Sequence, residues 1–203
     1  MLIGAVREGL CLDYANTLSW RGRPAPDEAL PDPAALLAWL DRAAGLGTEA
    51  MRPARERART HPQAMHRLFI EALVLREVIF RCFGALAAGR PAPAADVAAL
   101  LRTLERAPAR RRLTAAGGGY AWDVGAPRLS APALLTPVLW SAGDLLAAAA
   151  HRRVRQCANP ECQWLFVDES RTGTRRWCDM ASCGNRAKAR RHYARSRQHP
   201  PAS

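Results

Sequence analysis

Four cysteines near the C-terminus have the type and spacing that could do chemistry. They form two pairs, Cys157-x4-Cys162 and Cys178-x4-Cys183, with 15 residues between Cys162 and Cys178. Two short-loop pairs at about that separation let a compact fold bring four thiolates to the corners of one tetrahedron, the closed arrangement of structural zinc. A spacing of four rather than the commoner two lengthens each ligand loop by about a turn and leaves the donor set intact. Paired disulfides are the competing reading, and they require an oxidising compartment. Glu8 and Asp13 fall where a secretory signal would keep an unbroken apolar core, so no export signal is visible and a cytoplasmic setting is expected. The expected cofactor is therefore Zn2+, with Cys157, Cys162, Cys178 and Cys183 as its ligands. Four protein ligands leave no open coordination position for water or substrate, and no Gly-rich phosphate loop or Ser-His-Asp order stands out. The chain is therefore not expected to be an enzyme.

The charge is uneven. Of a formal net +12 over 203 residues, residues 151–203 hold 12 Arg or Lys against 4 Asp or Glu, a balance of +8; residues 1–150 hold 18 against 14, or +4. Four thiolates and one dication would lower the total to about +10. A cationic surface concentrated in this way predicts a polyanionic partner, nucleic acid first, although a charge run most often marks only a solvated face. The candidate phosphate contacts are Arg171, Arg175 and Arg176 before Cys178, and Arg186, Lys188, Arg190, Arg191, Arg195 and Arg197 after Cys183. The histidines are scattered, without metal-ligand spacing. No stretch approaches the ~20 unbroken apolar residues of a membrane span, so no membrane partner is expected.

The elements that must position these residues are mainly helical before His151. Asp32 followed by Pro33 reads as an N-cap with proline at the first helical position, and Leu36, Leu37 and Leu40 continue the pattern until Gly45 and Gly47 stop it. From Thr60 to about Ala88 apolar residues recur at steps of three and four, which predicts the central core helix. Residues 94–106 repeat the pattern more briefly. The period then falls to two: Tyr120, Trp122 and Val124 after Gly117-Gly118-Gly119 predict a β-hairpin. A last helix runs to about Ala150 and starts either at Ser130 with Pro132 or at Thr136 with Pro137. Residues 8–20 fit either a strand and turn or a short helix. In that stretch Asp13, Asn16 and Thr17 are candidate contacts for a small-molecule effector, while a cap or turn accounts for Asp13 and Asn16 equally well. Cys11 and Cys82, in apolar surroundings, read as buried inert thiols.

After a boundary near His151, Val154-Arg155-Gln156 leads into the first cysteine pair and Gln163-Trp164-Leu165-Phe166-Val167 leads out of it in extended-chain residues, a knuckle between two strands. Trp164 and Trp177 are expected to pack as core, since so small a module needs them. The segment from Gly184 to Arg191 is helical by propensity, which completes a treble-clef-like order. At about 100° per residue Arg186, Arg190, Tyr193 and Arg197 share one stripe, with Lys188, Arg191 and Arg195 nearly opposite; both stripes cannot face the core. The chain thus reads as α+β, with a mainly helical domain carrying a small hairpin over residues 1–150 and a zinc finger with a basic C-terminal helix over residues 151–203.

Trp177-Cys178-x4-Cys183-Gly184-Asn185-Arg186, followed by Ala187-Lys188-Ala189-Arg190-Arg191, resembles the CGNR zinc finger family. Cys157-Ala158-Asn159-Pro160-Glu161-Cys162 with Trp164-Leu165-Phe166 fits the knuckle of that finger, and the match spans about residues 152–197. In that family the finger follows a domain called ABATE, assigned to stress-induced transcription regulators, and Leu12-Asp13-Tyr14-Ala15-Asn16-Thr17 is similar to its opening. The resemblance implies a mixed α/β N-terminal domain, four cysteine ligands and nucleic-acid binding by the finger. The leading expectation is a DNA-binding transcriptional regulator whose N-terminal domain senses an effector or pairs two chains as a homodimer. An RNA- or ribosome-associated protein would use the same charge but usually exposes more aromatics for stacking, and a protein-interaction adaptor is the third reading.

Overall fold

A computed structural model describes residues 1–190. The chain opens with β1 (Leu2–Ile3) and resolves its ambiguous early stretch as a helix, α1 (Leu10–Ala15). Six residues are too few for a helix to persist alone, so α1 exists because other elements hold it. Ser141 Oγ accepts from the Cys11 amide at 3.0 Å, and the Tyr14 hydroxyl donates to the Ala72 carbonyl at 2.7 Å. A small antiparallel ribbon of β2 (Leu18–Ser19) and β3 (Asp27–Glu28) follows. Helix α2 (Pro33–Ala43) starts as its sequence predicts, with the Asp32 carboxylate accepting from the Ala35 amide at 2.8 Å.

The next helix, α3 (Gly47–Thr60), has no counterpart in the sequence reading. Six charged residues lie along it, and Met51 and Ala54 are its fully buried residues, so the apolar period is too thin to read. Helix α4 (Pro62–Ala87) is the predicted core helix; Met65, Phe69, Ala72, Ile79, Cys82 and Phe83 are buried along it, against α1, α2 and α3. It also packs on α5 (Ala94–Glu105). Strands β4 (Leu113–Ala116) and β5 (Gly119–Asp123) form the expected hairpin. Gly117 and Gly118 both take positive φ, 57° and 79°, as a two-residue turn of matching twist requires. Strand β1 adds to the far side of β5, Ile3 opposite Trp122. Both candidate helix starts are used: Ser130 caps the short α6 (Ala131–Leu134), and α7 (Thr136–Ala147) restarts around Pro137.

Packing does not stop where the composition changes near His151. Strands β6 (Val154–Gln156) and β7 (Leu165–Val167) pair antiparallel, and Val154 and Leu165 are buried in the same core as Leu12 and Ile79. The finger's hairpin therefore lies directly on α1 and α4. Beside it Arg76, 4% exposed, holds both carboxylate oxygens of Glu28 at 2.7 and 2.8 Å and one of Glu77 at 3.0 Å, while Glu77 also holds Arg21 at 2.6 Å. This network ties α4 to the β2–β3 ribbon. No helix among the described residues is long and apolar enough to cross a membrane.

Candidate metal centre and its basic flank

The four cysteines of the two pairs converge. Their sulfurs all lie within 4.8 Å of one another, and Cys162 Sγ is 3.7 Å from Cys178 Sγ. Four sulfurs at zinc–sulfur distances of about 2.3 Å on a tetrahedron would stand about 3.8 Å apart, so the donor set fits such an ion. Hydrogen bonds from Cys162 and then Cys178 hold the Cys157 thiol far below its ordinary range, while the contact with Cys157 is the largest cause that holds Cys162 and Cys178 above theirs. Four thiolates this close need a cation to offset their repulsion. Cys11 and Cys82 stay outside the cluster, and burial pushes their thiols up to about 12 and about 11.

Each ligand is placed by local geometry. The Cys157 amide donates to the Trp164 carbonyl at 2.8 Å across the knuckle, and the Cys162 amide donates to the Asn159 carbonyl at 2.9 Å. Gln163, just after Cys162, turns the chain with φ at 56°. Asn159 is 1% exposed, donates toward Cys183 Sγ at 3.6 Å and accepts from Arg190 at 3.2 Å, so it joins the knuckle to the second cysteine pair. Cys183 lies in one π-helical turn, Met180–Gly184, which the Asp179 carboxylate caps at the Ser182 amide, 2.9 Å. A helix continues over residues 185–190. Both Trp164 and Trp177 are expected from their positions beside the cysteines to fill this small core. Trp177 does pack on the cysteines, whereas Trp164 is 39% exposed. The missing cover comes from Trp20, 137 residues before Cys157, which no local pattern could have pointed to. Asn159 was more legible, as a turn-favouring residue inside a ligand loop.

The basic residues divide by what they touch. The loop before Cys178 is closed by Asp168, whose carboxylate accepts from Ser170 Oγ at 2.6 Å and from the Ser170 and Arg175 amides. Burial would raise this carboxyl, yet those bonds hold it below the usual aspartate range. Gly173, with φ at 60°, lies under the Arg153 guanidinium, where a Cβ would meet Arg153 Nη1 at 1.7 Å. Arg171 and Arg176 are exposed on this built loop. Arg175 stacks over Phe166 and donates to the Trp177 and Cys178 carbonyls, so it braces the loop. Arg186 lies over the Trp20 ring at 4.7 Å and Arg190 reaches Asn159, so these two exposed side chains also touch the protein. Lys188 is exposed on another side of the helix. Arg191, Arg195 and Arg197 lie outside the described residues.

Of the three residues proposed for an effector, Asn16 and Thr17 are internal. Asn16 bonds the backbone of Leu165, and Thr17 Oγ1 donates to the Tyr14 carbonyl at 2.7 Å and accepts from Arg76 at 3.2 Å. Their polar groups are consumed by packing. Asp13 pairs with Arg7 at the edge of a cleft of about 330 Å³ between α1 and β7, where Trp164, Arg175 and Cys178 also line the wall. The structure thus brings Asp13 to the finger and takes Asn16 and Thr17 out of any open site.

Residues 8–149 match the family model for ABATE, described as a putative stress-induced transcription regulator, and residues 153–196 match that for the CGNR zinc finger. No curated protein matches the chain.

Proposed function

We propose that this chain, which belongs to the ABATE family and ends in a CGNR zinc finger, is a zinc-dependent DNA-binding transcriptional regulator of the cytoplasm. The observation that carries the reading is the exposure of Arg171, Arg176 and Lys188 around a four-cysteine site in the segment that holds most of the net positive charge. A zinc ion bound by Cys157, Cys162, Cys178 and Cys183 would fix the knuckle against the last helix in a treble-clef-like arrangement; with four protein ligands it serves as scaffold, not catalyst. Phosphates are then met from two sides, by the loop over residues 171–176 and by the Lys188 side of the helix. Arg175, Arg186 and Arg190 hold that surface in shape.

The N-terminal domain supplies what one finger lacks. A finger of ~45 residues buries too little surface for tight specific binding, so pairing of two chains, or an effector entering the cleft beside Asp13, would set its activity. An RNA partner is the second reading, and the exposed Trp164 favours it, because a free indole next to a basic surface suits an unstacked base.

Titration of the zinc-loaded protein with mixed genomic DNA fragments, with RNA as competitor, tests the proposal. Contacts to ~4 to 6 phosphates predict a slope of log affinity against log salt of about −4 to −5. Binding without salt dependence, or binding that survives loss of residues 151–203, removes it. Full competition by RNA moves the assignment to the second reading.

A further inference from the structure

Trp20 belongs to the segment between α1 and the β2–β3 ribbon, yet its indole packs on Cys157, Cys162 and Cys183. Arg23 stacks on the ring at 3.8 Å and Arg186, from the first turn after Cys183, at 4.7 Å. Its backbone takes φ at 52°, a conformation costly for a bulky side chain, which persists only where surrounding contacts dictate it. Those contacts are present. Two residues on, the Gly22 amide donates to the Glu161 carbonyl at 3.1 Å, and Arg23 pairs with the Glu161 carboxylate at 3.3 Å. A Cβ on Gly22 would lie 2.0 Å from the Pro160 carbonyl oxygen, so this turn is pressed onto the knuckle.

We infer that Trp20 is a positioning residue of the finger: held between Arg23 and Arg186, it fixes the start of the last helix over the cysteine cluster, so that metal retention and presentation of the basic helix depend on the N-terminal domain. This rests on the zinc reading above and extends it, since neither matching family segment contains the whole unit. Trp20 acts through Arg186 and the cluster. What Trp20 does for presentation of the basic helix to DNA rests further on the DNA reading; what it does for metal retention does not.

The test uses the full zinc-loaded chain and its Trp20→Ala, Trp20→Phe, Arg186→Ala and Trp20→Ala/Arg186→Ala variants. The first readout is the rate of zinc transfer to a chromophoric chelator. The second is amide hydrogen exchange over residues 183–190. Trp20→Ala should release zinc about tenfold faster and raise exchange in that segment while exchange in α4 holds; Trp20→Phe should recover part of both effects, because a smaller ring still stacks. The double variant should be no worse than Trp20→Ala alone, since both changes remove one contact. Additive losses, or zinc release and exchange unchanged in Trp20→Ala, overturn the assignment. Should Trp20→Ala prove too unstable to load zinc, the same two readouts on Trp20→Phe and Arg186→Ala decide it: intermediate acceleration in both supports the assignment, and none in either overturns it. Absence of DNA binding in the parent protein would remove the nucleic-acid reading and leave the zinc-release result to stand by itself.

Discussion

Asn16 and Leu165 exchange two hydrogen bonds across 149 residues of chain: Asn16 Nδ2 donates to the Leu165 carbonyl at 2.8 Å, and the Leu165 amide donates to Asn16 Oδ1 at 2.9 Å. One side-chain amide at the end of α1 thereby completes the edge of the finger strand β7 as a neighbouring strand would. Both residues are buried, so neither partner has water to fall back on.

Asn16→Ala should therefore cost about 2–4 kcal/mol, because two buried backbone groups of Leu165 lose their partners at once. Asp13→Ala, which removes a solvent-facing pair with Arg7, should cost no more than about 1 kcal/mol. Urea denaturation of the two variants gives the comparison directly. Equal losses would show that the Asn16 clamp is unimportant.

Metal removal should destabilise the whole chain and not the finger alone. Val154 and Leu165 lie in the common core, so loosening the knuckle withdraws apolar cover from α1 and α4. Calorimetry with and without chelator should show one transition that moves to lower temperature; two separated transitions would mean that the finger unfolds independently. Thiol labelling gives a second measure. With zinc bound no thiol should react quickly at pH 8, and after chelation four should, while Cys11 and Cys82 remain slow because burial holds their thiols at about 12 and about 11.

Two glycines should respond in opposite directions to alanine. Gly22→Ala forces the turn off Pro160 and should lower both stability and zinc retention. Gly84→Ala, inside α4 with nothing near its Cβ position, should stabilise by about 0.5–1 kcal/mol through the helix propensity gained. Thermal melts of both variants check the pair.

Acid should act on the ion network beside the finger. Burial would raise the Glu77 carboxyl, but the hydrogen bond from Arg21 and the charges of Arg21 and Arg76 outweigh it and hold the folded value below the ordinary 4.5. A depressed folded value means that the stabilisation is present above about pH 4.5 and is lost as pH falls through the folded value. Glu77→Gln should flatten the stability profile below that point. Glu28→Ala, which leaves the buried Arg76 guanidinium without its bidentate partner, should cost about 3–5 kcal/mol at neutral pH. Denaturation between pH 3 and pH 7 separates the two effects.

What the sequence determined by itself is local. The paired cysteine spacings name four donors whatever the rest of the chain does, because a short ligand loop closes within a few residues. The core helix, the Asp32 cap and the hairpin at Gly117-Gly118 were legible for the same reason: capping, turn conformation and apolar period act over a few neighbours; the two alternative starts of one last helix belong instead to two helices. Helix α3 was not legible, since it is held mostly by Met51 and Ala54 among charged residues. Only the tertiary structure decided which side chains serve the site. Trp164 turns outward and Trp20 takes its place; Asn16 and Thr17 spend their hydrogen bonds on Leu165, Tyr14 and Arg76; Arg175 and Arg190, though exposed, spend hydrogen bonds on the finger itself. These assignments depend on contacts between distant segments, 149 residues apart for Asn16 and Leu165. No local pattern encodes them, because the same asparagine or tryptophan is equally compatible with solvent until a distant backbone arrives to claim it.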